Sequence, residues 1–219
     1  MNIQQEEKMI TKNEIFKDDL SVSRENYFMA LVKACIISLI LFYLLDQGED
    51  HPILCLILVS SIVLLIKYIG LNFIEFKKLT VTHLLIILFG YLLTYGFDTI
   101  YLFFNPLPTN QAFFDDSTQR LPLWASIISL AILPAIIEEF IFRGFMLSVI
   151  FRKHLFIGLI VSSVVFAVAH DSDTLIGYLP YFVKGLIFGL AYLKTRRIEV
   201  AILTHFLNNF MVTISSLYF

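Results

Sequence analysis

Two adjacent glutamates, Glu138 and Glu139, interrupt the apolar stretch LPAIIEEFIFRGFM, and Arg143 follows four residues after the second. Residues four apart share a helix face, so Glu139 and Arg143 can pair, while Glu138, turned about 100° away, cannot join that geometry. One acid is neutralised and one is left over. A carboxylate without a partner among apolar side chains is the type of group that general acid/base chemistry uses. The Glu139–Arg143 pair reads equally well as a buried ion pair that locks helices together. Further along, LTHFLNNF places His205 and Asn209 four apart on one face, with Asn208 pointing elsewhere. An imidazole and an amide so placed can donate two hydrogen bonds toward a common point, as a developing oxyanion requires. The alternative is interhelical hydrogen bonding at about 0.6–2 kcal/mol per contact. His170, in FAVAHDSD, closes another apolar run and reads as an interfacial residue or as a catalyst, with Asp171 and Asp173 as loop acids.

An ionisable group inside a membrane span costs at least about 2.5–3.5 kcal/mol on insertion scales, which makes each of these residues a functional candidate. Lys184, in YFVKGLIFGLAYL, can reach an interface, pair with Asp98 or line a wet cavity. Gly185 and Gly189 beside it form a small-xxx-small pair suited to close helix packing. Lys33 and His83 lie near span ends, where snorkelling explains them.

The elements that must carry these groups are membrane helices. The chain has 219 residues, 58% hydrophobic and 16% charged, against about a quarter charged in soluble domains. Its mean hydropathy is +0.80. A crossing needs about 20 mostly apolar residues, and seven stretches approach that length, at 27–45, 52–70, 81–104, 123–150, 155–170, 177–193 and 199–218. They are continuously apolar rather than alternating, which excludes a barrel. The expected fold is all-α, a polytopic transmembrane helical bundle of about seven spans in one domain over 27–219. The hydrophilic 1–26 segment reads as a tail on one side of the membrane, without a secretory leader. The 105–122 segment, rich in Pro, Asn and Asp, reads as a surface loop. Cys35 and Cys55 both lie in apolar runs and build neither a disulfide framework nor a metal site. A net charge of −2 leaves no basic footprint for nucleic acid.

Lys and Arg concentrate in alternate connections: Lys8, Lys12, Lys17 and Arg24 before the first span, Lys67, Lys77 and Lys78, then Arg152 and Lys153, then Lys194, Arg196 and Arg197. The other connections hold Arg120 alone and are otherwise acidic. The positive-inside rule then puts the N-terminus in the cytoplasm and the C-terminus outside. At about 1.5 Å per residue, His205 lies about 10 Å from the cytoplasmic edge, Glu138 about 20 Å and His170 about 24 Å. Upright helices do not bring the three together, so tilt or a bent helix is required.

Glu138-Glu139-x-x-x-Arg143, Phe166-x-x-x-His170 and His205-x-x-x-Asn209 occur in this order on successive polar-bearing helices, with an Arg143-Gly144 step and a two-glycine helix between the last two motifs. Over residues 120–215 this resembles the CPBP family of intramembrane proteases. That family includes CAAX prenyl endopeptidases of the Ras-converting type and the Abi-type proteins of bacteriocin processing and self-immunity. The resemblance implies that 120–215 is the catalytic core. Glu138 would activate a water that His170 holds, Glu139 and Arg143 would support it, and His205 with Asn209 would polarise the scissile carbonyl. Glu138, His170 and His205 are also the donor types of a zinc set, but no His-Glu-x-x-His helix occurs, and the metal-free glutamate mechanism is preferred.

Rhomboid-type and presenilin-type sites need Gly-x-Ser-Gly and Gly-x-Gly-Asp strings, and neither is present. The rival reading is noncatalytic: a bacteriocin immunity protein, or a scaffold binding a peptide or sensor kinase. A transporter ranks behind both, because no inverted repeat is visible. The function expected is an intramembrane endopeptidase of a bacterial plasma membrane. It would act near the cytoplasmic half of the bilayer on a CAAX-type, leader-bearing or bacteriocin-like substrate, with the lipid bilayer and a peptide or membrane-protein substrate as its partners.

Overall fold

The computed structural model describes residues 15–17, 26–71, 73–75 and 77–218. Most of the 1–26 tail, with Lys8, Lys12 and Arg24, lies outside the described residues. Those described form a helical membrane bundle without strands. In chain order the helices are α1 (Tyr27–Asp46), α2 (Pro52–Tyr68), α3 (Val81–Phe104), α4 (Thr109–Arg120), α5 (Leu123–Ile150), α6 (Leu155–Val168), α7 (Leu179–Thr195) and α8 (Ile198–Tyr218). A 3₁₀ turn, Leu175–Tyr178, leads into α7. Helices α1, α3, α5, α8 and the Leu175–Thr195 unit are long and apolar enough to cross a membrane, while α2 and α6 are shorter apolar helices. Each of the seven apolar stretches is therefore helical, and five reach full crossing length.

The elements start and stop where local chemistry directs. The Asn26 side chain accepts from the Phe28 N–H at 3.1 Å and caps α1. Thr80 and His83 cap α3 reciprocally, so His83 is an N-terminal staple and not a snorkelling side chain. Lys33 donates to the Ile69 carbonyl at 3.2 Å, tying α1 to the end of α2. Between α7 and α8, Arg196 takes a left-handed conformation (φ 57°), and Arg197 donates to the Lys77 and Lys78 carbonyls.

The 105–122 segment contains helix α4 instead of an irregular loop. Pro108 and Pro122 bound it, an Arg120–Asp116 pair spans one turn at 2.9 Å, and Ser117 and Thr118 are fully buried against the bundle. Its polar composition hides the helix because the face it buries is made of hydroxyls, not of an apolar stripe.

Helix α5 is the axis of the fold. Of its apolar window 72% is buried, against 28% for α1 and 22% for α3, whose outer faces carry Leu39 and Phe103 toward lipid. Two stretches of α5, Ile127–Ile132 and Phe140–Ile150, are π-helical. Ser148 Oγ donates to the Arg143 carbonyl at 2.6 Å, and the Phe151 N–H reaches Met146 at 3.0 Å, both five residues back. Helices α6 and α7 pack so closely that a Cβ on Gly185 would sit 2.9 Å from the Ser163 backbone. The small-residue pair thus performs the close approach its spacing suggests.

Candidate active site

Glu139 and Arg143 sit one helical turn apart, both fully buried, with Arg143 Nη1 2.9 Å from Glu139 Oε1. Arg143 Nη2 donates to the Gly185 carbonyl at 2.7 Å, and the guanidinium lies 5.0 Å from the Phe166 ring centroid. The cation therefore ties α5 to α7 across the end of a buried aromatic cluster. Glu139 Oε1 also accepts from His205 Nδ1 at 2.9 Å, and the His205 ring stacks on Phe188 at 4.6 Å. With its proton on Nδ1, His205 presents Nε2 as an acceptor, and Asn209 Nδ2 donates to it at 3.2 Å. An Arg143–Glu139–His205–Asn209 chain results.

Asn209 is anchored a second time by a structural device in α5. The Leu130 carbonyl lies in the π-helical stretch Ile127–Ile132, and Asn209 Nδ2 donates to it at 3.3 Å. The spacing of His205 and Asn209 suggests two donors aimed at one outside point. In the structure they bond each other, and the amide protons are held by Leu130 and His205. Asn208, read from the sequence as pointing elsewhere, donates to Asn209 Oδ1 at 3.1 Å and belongs to the same group.

Glu138, on the neighbouring face of α5, is 9% exposed, and its Oε2 has no hydrogen-bond partner. His170 Nε2 lies 3.9 Å from that oxygen. The imidazole is fixed by two contacts: Nδ1 donates to the Phe166 carbonyl at 2.7 Å, and the ring stacks on Tyr181 at 4.3 Å. Nε2 is thereby the acceptor and faces the acid. Glu138, His170, His205 and Asn209 all line one cavity of about 750 Å³. The depth mismatch calculated for upright α-helices does not hold, and the π-helical run Phe140–Ile150 is one physical reason. An i→i+5 helix advances less per residue than an α-helix, which draws Glu138 toward the level of His205.

The cavity rim contains Asp46, Glu49, Asp50 and Arg120. These residues belong to the acidic end of the bundle, opposite the end that carries Arg152, Lys153, Arg196 and Arg197. The charged part of the lining thus comes from the α1–α2 connection and α4, at the end of the bundle away from the basic residues. Lys184 takes one of the choices open to it, pairing with Asp98 at 2.9 Å. That pair also lines a second, neighbouring cavity of about 380 Å³ with Tyr91 and Tyr95.

Among the described residues no group of three His, Cys, Asp or Glu is placed to hold a metal ion. The chemistry of the donors gives the reason: both His205 nitrogens are engaged, one by Glu139 and one by Asn209. Glu138, His170 and His205 thus do not fit a zinc set as arranged. Phe166, named in the Phe166-x-x-x-His170 motif, holds the His170 ring through its carbonyl, and Tyr181 and Phe188, which stack on the two imidazoles, are positioning residues that the sequence did not mark. In a chain with 22 Phe and 10 Tyr, these two aromatics carry no signal.

Residues 120–211 match the family model described as Type II CAAX prenyl endopeptidase Rce1-like. The chain is similar to the membrane-embedded CAAX protease MroQ of Staphylococcus aureus (strain USA300), 33% identical over 106 residues that make up 45% of this chain and 41% of that protein. It is also similar to YdiL of Bacillus subtilis (strain 168), a candidate membrane peptidase, 35% identical over 103 residues, 47% of this chain and 41% of that one. The match thus spans about two fifths of the length of each of these relatives. No solved structure matches the chain at a significant level.

Proposed function

We propose, from the match of residues 120–211 to the family model described as Type II CAAX prenyl endopeptidase Rce1-like, that the chain is an integral membrane endopeptidase that hydrolyses a peptide bond with a glutamate-activated water. The observation that carries this reading is Glu138: a buried carboxylate with an unpartnered oxygen, facing a cavity and an acceptor nitrogen 3.9 Å away. A water placed between Glu138 Oε2 and His170 Nε2 donates one proton to each acceptor and turns its lone pair to the substrate. Glu138 takes the proton as the water oxygen bonds to the scissile carbonyl carbon. The carbonyl electrons move onto oxygen, and Asn209 Nδ2 releases Leu130 or His205 to donate to that oxyanion. When the C–N bond breaks, Glu138 returns the proton to the departing amine. The oxyanion is met by the Asn209 N–H dipole, which a preset chain positions, since His205 donates to Glu139, which Arg143 neutralises.

No step here uses a metal ion. The substrate is a membrane-associated peptide, and the bundle end bearing Lys and Arg lies in the cytoplasm of a bacterial cell. The test is hydrolysis of a peptide library by protein reconstituted in nanodiscs. Glu138→Gln, which keeps the volume and removes the base, lowers turnover by about a thousandfold or more, while Glu138→Asp retains part of it. Undiminished cleavage by Glu138→Gln overturns the mechanism. A wild-type protein that cleaves nothing, yet protects cells from a peptide toxin with or without Glu138, establishes the immunity reading instead.

A further inference from the structure

The distribution of charge around the cavity goes beyond the hydrolytic chemistry and bears on what enters it. Asp46, Glu49 and Asp50, from the α1–α2 connection, line the cavity whose floor is Glu138. The cation beside them, Arg120, is engaged by two carboxylates, Glu49 at 3.3 Å and Asp116 at 2.9 Å. Asp46 and Asp50 are exposed, and Asp46 accepts from the Gln47 side-chain amide at 2.9 Å. The sidedness rule accounts for the scarcity of Lys and Arg at this end of the bundle, but it is indifferent to Asp and Glu. Topology therefore explains why the rim is not basic and leaves unexplained why it is acidic. The second observation is Glu138 itself, 9% exposed with an unpartnered oxygen, at the inner end of the same cavity. A passage of about 750 Å³ with carboxylates at its rim and a lone carboxylate at its base is a negative funnel in low-dielectric walls, which concentrates cationic ligands.

We propose that this mouth opens on the extracytoplasmic face and receives a positively charged, Lys- or Arg-rich peptide segment, which Asp46 and Asp50 hold beside the membrane while a neighbouring bond reaches Glu138. This deepens the endopeptidase reading and rests on it for the bond-breaking step alone. The basic residues stay at the rim, beside Asp46 and Asp50, because the inner cavity already holds the Lys184 ammonium, paired with Asp98, next to Glu138 and the two imidazoles.

Two measurements test it. In a background of Cys35→Ala and Cys55→Ala, Asp50→Cys is labelled by a membrane-impermeant maleimide on intact cells, and Lys153→Cys only after permeabilisation. The reverse pattern overturns the sidedness. For the charge, the Glu138→Gln protein in nanodiscs of neutral phosphatidylcholine is titrated with a fluorescent Lys/Arg-rich peptide and with its Asp/Glu-rich counterpart of equal length. The cationic peptide binds tighter, and the added pair Asp46→Lys and Asp50→Lys weakens it by about fivefold or more at low ionic strength, a difference that salt erases. Equal affinity for the two peptides, or an unchanged affinity after the charge reversal, overturns the proposal. Binding without hydrolysis by the wild type removes the endopeptidase reading and keeps the cationic mouth. Hydrolysis without charge preference does the opposite.

Discussion

Replacing Arg143 by Gln withdraws the cation from a pair in which both side chains are completely buried. At 2.9 Å and an effective dielectric constant near 20, the attraction between unit charges is about 6 kcal/mol, set against the cost of having dehydrated both groups. What a mutation reads is the balance. Removing one partner of a buried pair costs about 3–5 kcal/mol, because the other charge is left uncompensated, and the lost bond to the Gly185 carbonyl adds about 1 kcal/mol. His205 remains beside Glu139 and softens the loss without replacing a fixed cation. The double variant Glu139→Gln, Arg143→Gln carries no stranded charge, so it costs about 1–2 kcal/mol and is more stable than Arg143→Gln alone. Unfolding in mixed micelles titrated with sodium dodecyl sulfate, followed by far-ultraviolet ellipticity, supplies the four corners of the cycle. A double variant less stable than Arg143→Gln, with the single effects simply adding, refutes the claim that the pair is electrostatically coupled.

Other outcomes follow from individual contacts. Gly185→Ala forces α6 and α7 apart at Ser163 and costs about 1–3 kcal/mol, whereas Gly96→Ala, with nothing within 4 Å of its Cβ, leaves stability unchanged or slightly raised; thermal unfolding of the two side by side checks the contrast. Asn209→Ala lowers kcat about a hundredfold with KM little changed, as steady-state kinetics on a cleaved peptide would register. Dialysis against a chelator leaves turnover within about twofold, and recovery of lost activity by added zinc would contradict the metal-free route.

The length of the continuously apolar runs sufficed for the seven helices, and 3.6-residue spacing sufficed for the Glu139–Arg143 pair. The same rule separated Glu138 from its neighbour. It failed for Asn208, which one turn of helix places off the His205–Asn209 face but whose amide bends around to Asn209. It failed again at α4, where buried hydroxyls replace the apolar stripe on which recognition depends. The convergence of Glu138 with His205 was hidden in the π-helical half of α5, since the ideal rise used to place residues by depth assumes i→i+4 bonding throughout. The cavity was hidden for a different reason: its lining joins the α1–α2 connection, α4, α5 and α8, and packing between such distant segments is encoded in no local pattern.

The two glutamates of one dipeptide thus carry opposite duties for a single geometric reason. Adjacent residues on a helix diverge by about 100°, so the face that turns Glu139 into the wall between α5, α7 and α8 necessarily turns Glu138 toward the cavity. Inside the wall, a cation and an imidazole proton satisfy Glu139, and the charge becomes part of the scaffold. Facing the cavity, Glu138 has room for water and an acceptor nitrogen opposite it. Exchanging the pair's surroundings would need Arg143 at position 142, where Phe142 now lines the cavity. A Phe142→Arg, Arg143→Phe variant therefore strands Glu139 in the wall and neutralises Glu138, so it loses hydrolysis and stability together, whereas Glu138→Gln loses hydrolysis alone.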